Sequence, residues 1–137
     1  MKIAPFFYIW GMKETIEKKI QSQIYNKWFS RKSKYILHIG PTNSGKTYSA
    51  VQSLKQSKKG IYLAPLRLLA WEIYERLTNE NLLCNLLTGE EKIRTHNANL
   101  TSCTIEMCDF RTHFDVVVID ECFMICDNQR GKFWLKA

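Results

Sequence analysis

The chain has 137 residues, 45% of them apolar and 24% charged, with 20 Lys+Arg against 13 Asp+Glu. That is one domain with a moderate core, too apolar for a disordered chain and without internal repeats. The longest apolar run, Ile3–Trp10, is far short of the roughly 20 residues of a membrane span, and no small-x-small cleavage site follows it, so neither a span nor a secretory leader is expected. The net charge of +7 is concentrated at the start: residues 1–38 carry eight Lys/Arg and two Asp/Glu, residues 39–137 twelve and eleven. A solvated basic helix and a phosphate-tracking surface both account for it. Five cysteines form no C-x-x-C pair, which points to a reducing compartment. Cys103, Cys108 and His113 match no common zinc spacing, so buried, inert thiols and no zinc are expected.

In chain order, Ile16, Ile20, Ile24 and Trp28 predict an amphipathic helix over 13–29, followed by a polar link over 30–34. Tyr35–Ile39 reads as a buried strand ending at Gly40. A helix from Lys46 to about Gln56, a turn over Ser57–Gly60 and a strand over Ile61–Ala64 come next. Leu66, Leu69, Ala70, Ile73 and Leu77 make one apolar stripe, opposite Arg67, Glu72, Glu75 and Arg76, and predict a second helix. Leu83–Leu87 and Ser102–Glu106 are weaker strands; Asp115–Ile119, β-branched, is the strongest. Strands alternating with helices imply an α/β fold with a parallel sheet.

Gly40, Pro41, Thr42, Asn43, Ser44, Gly45, Lys46 and Thr47 fit G-x-x-x-x-G-K-[ST] between a predicted strand and a predicted helix. Such a loop cradles phosphate on backbone N–H groups at a helix N-terminus. Lys46 is then the partner of the β- and γ-phosphates, and the Thr47 hydroxyl a Mg²⁺ ligand. Asp120, at the carboxyl end of the β-branched strand, is the second Mg²⁺ ligand, and Glu121 the group that orients or deprotonates water. Lys46, Asp120 and Glu121 are thus the catalytic candidates. The bland alternatives are a glycine-rich turn and an ordinary acidic strand end.

Six stretches carry a more specific resemblance. They are 38–47, Ala64-Pro-Leu-Arg-Leu-Leu-Ala70, Thr88-Gly-Glu-Glu91, Cys103-Thr-Ile-Glu-Met107, Val118-Ile-Asp-Glu121 and Asp127-x-x-Arg130-Gly131. In this order they resemble the first RecA-like domain of the mitochondrial-degradosome RNA helicases and their bacterial relatives, DExH-like members of superfamily two. The resemblance implies a partial RecA-like domain over 35–137 after a basic helical segment over 1–34. It implies ATP and Mg²⁺ as cofactors and sequence-independent binding of single-stranded RNA. Pro65, Arg67, Thr88, Gly89 and Thr104 are the implied RNA-facing residues, through backbone N–H groups and short hydroxyls. An exoribonuclease partner, no membrane, and the bacterial cytoplasm or alternatively the mitochondrial matrix complete the expectations. The structural alternatives are that Arg67 pairs with Glu72 or Glu75, that Thr88 caps a turn, and that Glu106 satisfies backbone amides. His38 and Trp71 read as packing residues.

Two features depart from the family pattern. Cys122-Phe123 stands where the family continues Asp-Glu with Ile-Gln, which puts coupling to a second motor domain in doubt. The chain also stops at Ala137 inside an apparent helix, before the strand that separates the phosphate-loop strand from the Asp120 strand in a RecA-type sheet; a fragment is expected. A thymidine-kinase-type nucleoside kinase shares the phosphate loop and is one alternative function. A non-catalytic remnant of a split gene is another.

Overall fold

The structure, a computed structural model, describes residues 34, 36, 38, 44–121, 124 and 127–137. The helix expected over 13–29 and most of the strand expected over 35–39 lie outside them, as do Gly40, Pro41, Thr42, Asn43, Cys122 and Phe123. Helix α1 spans Lys46–Lys55 and buries Ala50, Val51 and Leu54, the spacing that puts side chains on one helical face. It starts from Gly45, whose φ of 80° lies in the left-handed region that glycine enters without Cβ strain. Strand β1, Gly60–Ala64, is buried along its whole length. It begins on glycine because a Cβ there would stand 2.6 Å from Leu54 Cδ1 and closer still to Ser57 Oγ.

Helix α2, Arg67–Asn79, buries Ala70, Ile73 and Leu77. Leu66, which spacing assigns to the same stripe, is 57% exposed. It precedes the first helical residue with extended backbone (φ −128°), so it does not share the helix's inner face. Strands β2 (Cys84–Leu87), β3 (Lys92–Ile93) and β4 (Leu100–Thr104) follow. The strand expected over Ser102–Glu106 starts two residues earlier and stops at Thr104, because Ile105–Met107 winds into a 3₁₀ turn. Strand β5 is Val116–Ile119, and a short helix α3 is Gly131–Lys136. Among the described residues no helix is long and apolar enough to cross a membrane.

The five strands lie in the order β3-β2-β4-β1-β5. All pairs are parallel except β2 with β3. Alternation along each strand sends side chains to two faces. Tyr62, Ala64, Val116 and Val118 pack with the apolar stripes of α1 and α2, whereas Ile61, Leu63, Cys103, Ile105 and Ile119 pack with Trp134 of α3. Helices on both faces of a mainly parallel sheet make the α/β architecture expected of a partial RecA-like domain. Burial pushes the Cys84 thiol up to about 12. The neighbouring Cys108 thiol, and then burial, hold the Cys103 thiol far up, while the same neighbour draws Cys108 down against the effect of its own burial.

Candidate nucleotide and nucleic-acid site

Because β1, β2, β4 and β5 run parallel, their carboxyl ends share one edge of the sheet. Pro65 follows β1, Thr88 follows β2, Thr104 ends β4 and Asp120 follows β5. The edge therefore gathers most of the candidate residues, and open α/β sheets bind ligands there.

A cleft of about 350 Å³ opens where α1 meets the end of β5. The start of α1 supplies Ser44, Gly45, Lys46 and Thr47, and the end of β5 supplies Asp120 and Glu121. Lys46 is half-buried, with Nζ donating to Ser44 Oγ at 3.0 Å; Thr47 is exposed. Asp120 N donates to Leu63 O at 3.0 Å, which carries the pairing one residue past β5 and fixes the carboxylate's origin. Asp120 Oδ1 accepts the Glu121 N–H at 2.9 Å, and Oδ2 accepts the Tyr62 hydroxyl. Burial, followed by the Asp120 charge, holds the Tyr62 phenol well above its usual value, so it remains a donor.

Glu121 has a φ of 51°, the left-handed region that a residue with a Cβ rarely occupies and that is over-represented at functional sites. Burial and the neighbouring Asp120 charge raise its carboxyl above the ordinary glutamate range, and Lys46 pulls it back. A cation, an exposed hydroxyl and a fixed carboxylate around an open cleft suit a phosphate chain with one hydrated divalent cation, which takes few protein ligands. A raised carboxyl beside them suits proton abstraction from water. Among the described residues no three His, Cys, Asp or Glu converge as a metal centre of their own.

The other candidates lie further along the same edge. Arg67 forms an ion pair with Glu90, in place of either Glu72 or Glu75. Thr88 is buried; its Oγ1 accepts the Glu91 N–H at 2.9 Å and its own N–H donates to Glu91 O at 2.8 Å, so it caps its turn. Gly89, next to it, is exposed and has open space where a Cβ would stand. Arg67 and Thr88 line a second cleft of about 280 Å³ whose apolar wall is Leu68 and Trp71. Thr104 is buried at the end of β4, and Pro65 is buried in the β1–α2 turn. Trp71 and His38 are half-buried.

Glu106 binds Arg130: the guanidinium Nε donates to Oε1 at 2.6 Å, and Nη2 donates to the same oxygen and to Pro65 O, the latter at 2.6 Å. Among the described residues no backbone amide donates to it. Tyr62, Glu90 and Arg130 thus join the site without having been assigned roles by sequence. Tyr62 was not legible, because strand register brings it to Asp120. It pairs with Val118, two residues before Asp120 on the same sheet face.

The DEXQ-box helicase domain of Suv3 matches residues 21–137. The chain is 52% identical over 120 residues to the mitochondrial ATP-dependent RNA helicase SUV3 of Saccharomyces paradoxus, covering 81% of this chain and 16% of that protein. It is 49% identical over 107 residues to the mitochondrial DExH-box ATP-dependent RNA helicase DExH16 of Arabidopsis thaliana (78% and 19%). With the human mitochondrial ATP-dependent RNA helicase SUPV3L1 it shares 40% identity over 139 residues (96% and 18%). The chain spans less than a fifth of the length of each of these relatives.

Proposed function

The chain belongs to the Suv3 family of DEXQ-box helicases, and we propose that it forms the nucleotide-binding part of an ATP-dependent RNA helicase that unwinds or moves along RNA during RNA degradation. The observation that carries this is the convergence of Lys46, Asp120 and Glu121 on one cleft, in a chain of that family. The thymidine-kinase-type alternative is not favoured by that membership.

In this reading the 40–47 loop holds the ATP phosphates, and Lys46 supplies the positive charge beside them. Thr47 and Asp120 hold Mg²⁺, which neutralises phosphate charge when bound. Tyr62 and the Glu121 N–H each take one oxygen of Asp120 and so fix the plane of its carboxylate. Glu121, more basic than an ordinary glutamate, takes a proton from the attacking water. The Pro65, Arg67, Thr88, Gly89 and Thr104 positions face the RNA backbone. Because Thr88 and Pro65 are buried, their contribution is to shape turns whose exposed neighbours and N–H groups meet the phosphates.

We place this domain over 35–137, behind a basic helical segment over 1–34, with an exoribonuclease as a partner of the complete helicase. The mitochondrial relatives support the mitochondrial matrix over a bacterial cytoplasm. Titration calorimetry with Mg-ATP and a single-stranded RNA tests the assignment. The expected result is saturable binding of both; absence of Mg-ATP binding overturns it.

A further inference from the structure

We infer that Arg130 is a positioning residue for RNA binding, a clasp that sets two RNA-facing turns relative to each other without itself touching RNA. The inference rests on the reading of the Pro65 and Thr104–Glu106 turns as RNA-facing. Arg130 stands 65 residues after Pro65 and 24 after Glu106 in sequence, yet bonds both. Its Nε and Nη2 donate inside the protein, to the Glu106 carboxylate and the Pro65 carbonyl. The guanidinium carbon lies 5.5 Å from the centre of the Trp134 ring. Trp134 is 1% exposed, and its indole N–H lies 3.5 Å from the Asp120 carbonyl. One side chain thus connects the turns after β1 and β4 and rests on the ring that lies beneath the end of β5.

The segment leading to Arg130 is built to aim it. Asp127 Oδ1 accepts the Arg130 N–H at 2.7 Å and the Gln129 N–H at 2.9 Å, and Asp127 O accepts the Gly131 N–H at 3.0 Å. The Arg130 and Gln129 N–H groups hold the Asp127 carboxyl below its ordinary range. That accounts for the Asp127-x-x-Arg130-Gly131 pattern: the aspartate fixes the backbone, and glycine opens the short helix. The task suits arginine, because a planar fork serves two acceptors in fixed directions, whereas an ammonium is a point donor on a flexible stem.

A carboxylate on a surface meant for a polyanion is otherwise hard to explain. If Glu106 acted only through its charge, its removal would tighten RNA binding; if it is the anchor of a clasp, removal loosens the turn and weakens binding. The test uses the full chain, labelled single-stranded oligouridylate and fluorescence anisotropy, with Mg-ATP affinity measured in parallel. Arg130→Lys, Arg130→Gln and Glu106→Gln are each expected to weaken RNA binding by about tenfold, the scale of losing a charge-assisted hydrogen bond, with Mg-ATP affinity kept within about twofold. The slope of RNA affinity against salt should stay unchanged in Arg130→Gln, whereas a direct phosphate contact would lower it by about 0.7.

Wild-type RNA affinity in Arg130→Lys, or tighter binding by Glu106→Gln, overturns the clasp. A salt slope that falls in Arg130→Gln does the same. An unaltered chain that binds no RNA overturns the RNA-facing reading, and the clasp with it. Because retained Mg-ATP binding reports an intact fold, a variant that loses both ligands marks Arg130 as a folding residue and also overturns it.

Discussion

The two ends of the site edge are built differently. At the α1–β5 cleft the side chains line an open space, with Lys46, Thr47, Asp120 and Glu121 arranged around it. Further along, the side chains are engaged within the protein: Arg67 with the Glu90 carboxylate, Thr88 with the Glu91 backbone, Arg130 with the Glu106 carboxylate and the Pro65 carbonyl. In the proposed function the first end takes a small ligand whose charges dictate the residue types. In the same proposal the second end presents backbone, and its side chains serve to keep that backbone in place. Substitutions at the first end should therefore alter ligand affinity more than stability, and at the second end stability and affinity together.

Trp134 lies beneath both ends and offers the severest test. Trp134→Ala should destabilise the chain by roughly 3–5 kcal/mol, the range for truncating a buried aromatic. Chemical denaturation gives the number, and a loss below about 1 kcal/mol would mean that the ring does not support the edge. Next, Lys46→Ala should weaken Mg-ATP binding at least tenfold, about 1.4 kcal/mol or more, while melting temperature and RNA affinity hold. Equal loss of both ligands in calorimetry would erase the distinction between the two ends. Thr88→Val keeps the shape and removes the hydroxyl that caps the turn. It should cost about 1 kcal/mol of stability and leave Mg-ATP affinity unchanged, as thermal melts and the same calorimetry would show.

The smallest effect concerns pH. The Glu121 carboxyl is raised in the folded chain, so folding favours its protonated form. Its contribution is fully favourable below the ordinary glutamate value and is lost as pH rises through the raised value. Glu121→Gln should therefore melt slightly higher than the unaltered chain at neutral pH, and the gap should close as pH falls to the ordinary glutamate range. A gap that widens in acid would reverse the sign assigned here.

The same contrast explains what was legible in the amino-acid sequence. Lys46, Thr47, Asp120 and Glu121 stand out because the phosphate and metal chemistry proposed for them restricts residue type and spacing, and the alternation of helices and strands was enough for the α/β class. The Arg67 partner was not legible, since Glu90 reaches it only through the placement of β2 beside β4. Nor was the role of Arg130, whose partners lie on two other turns. The two-residue strand β3 is too short to show a period. Leu66 misled because spacing alone does not say where a helix begins.

The position of β1 also bears on how the chain is made. Gly60 pairs with Leu100 and with Val116, which leave the ribosome 40 and 56 residues after it. At roughly 5–20 residues per second, the second partner arrives on the order of 3–11 seconds after β1. Helices α1 and α2, its neighbours in sequence, are available early to shield Tyr62 and Ala64, but Ile61 and Leu63 wait for Trp134 on the opposite face. The strand that the finished fold buries along its whole length is thus also one that waits unpaired during synthesis, so the apolar side chains of β1 are a segment a holding chaperone would meet.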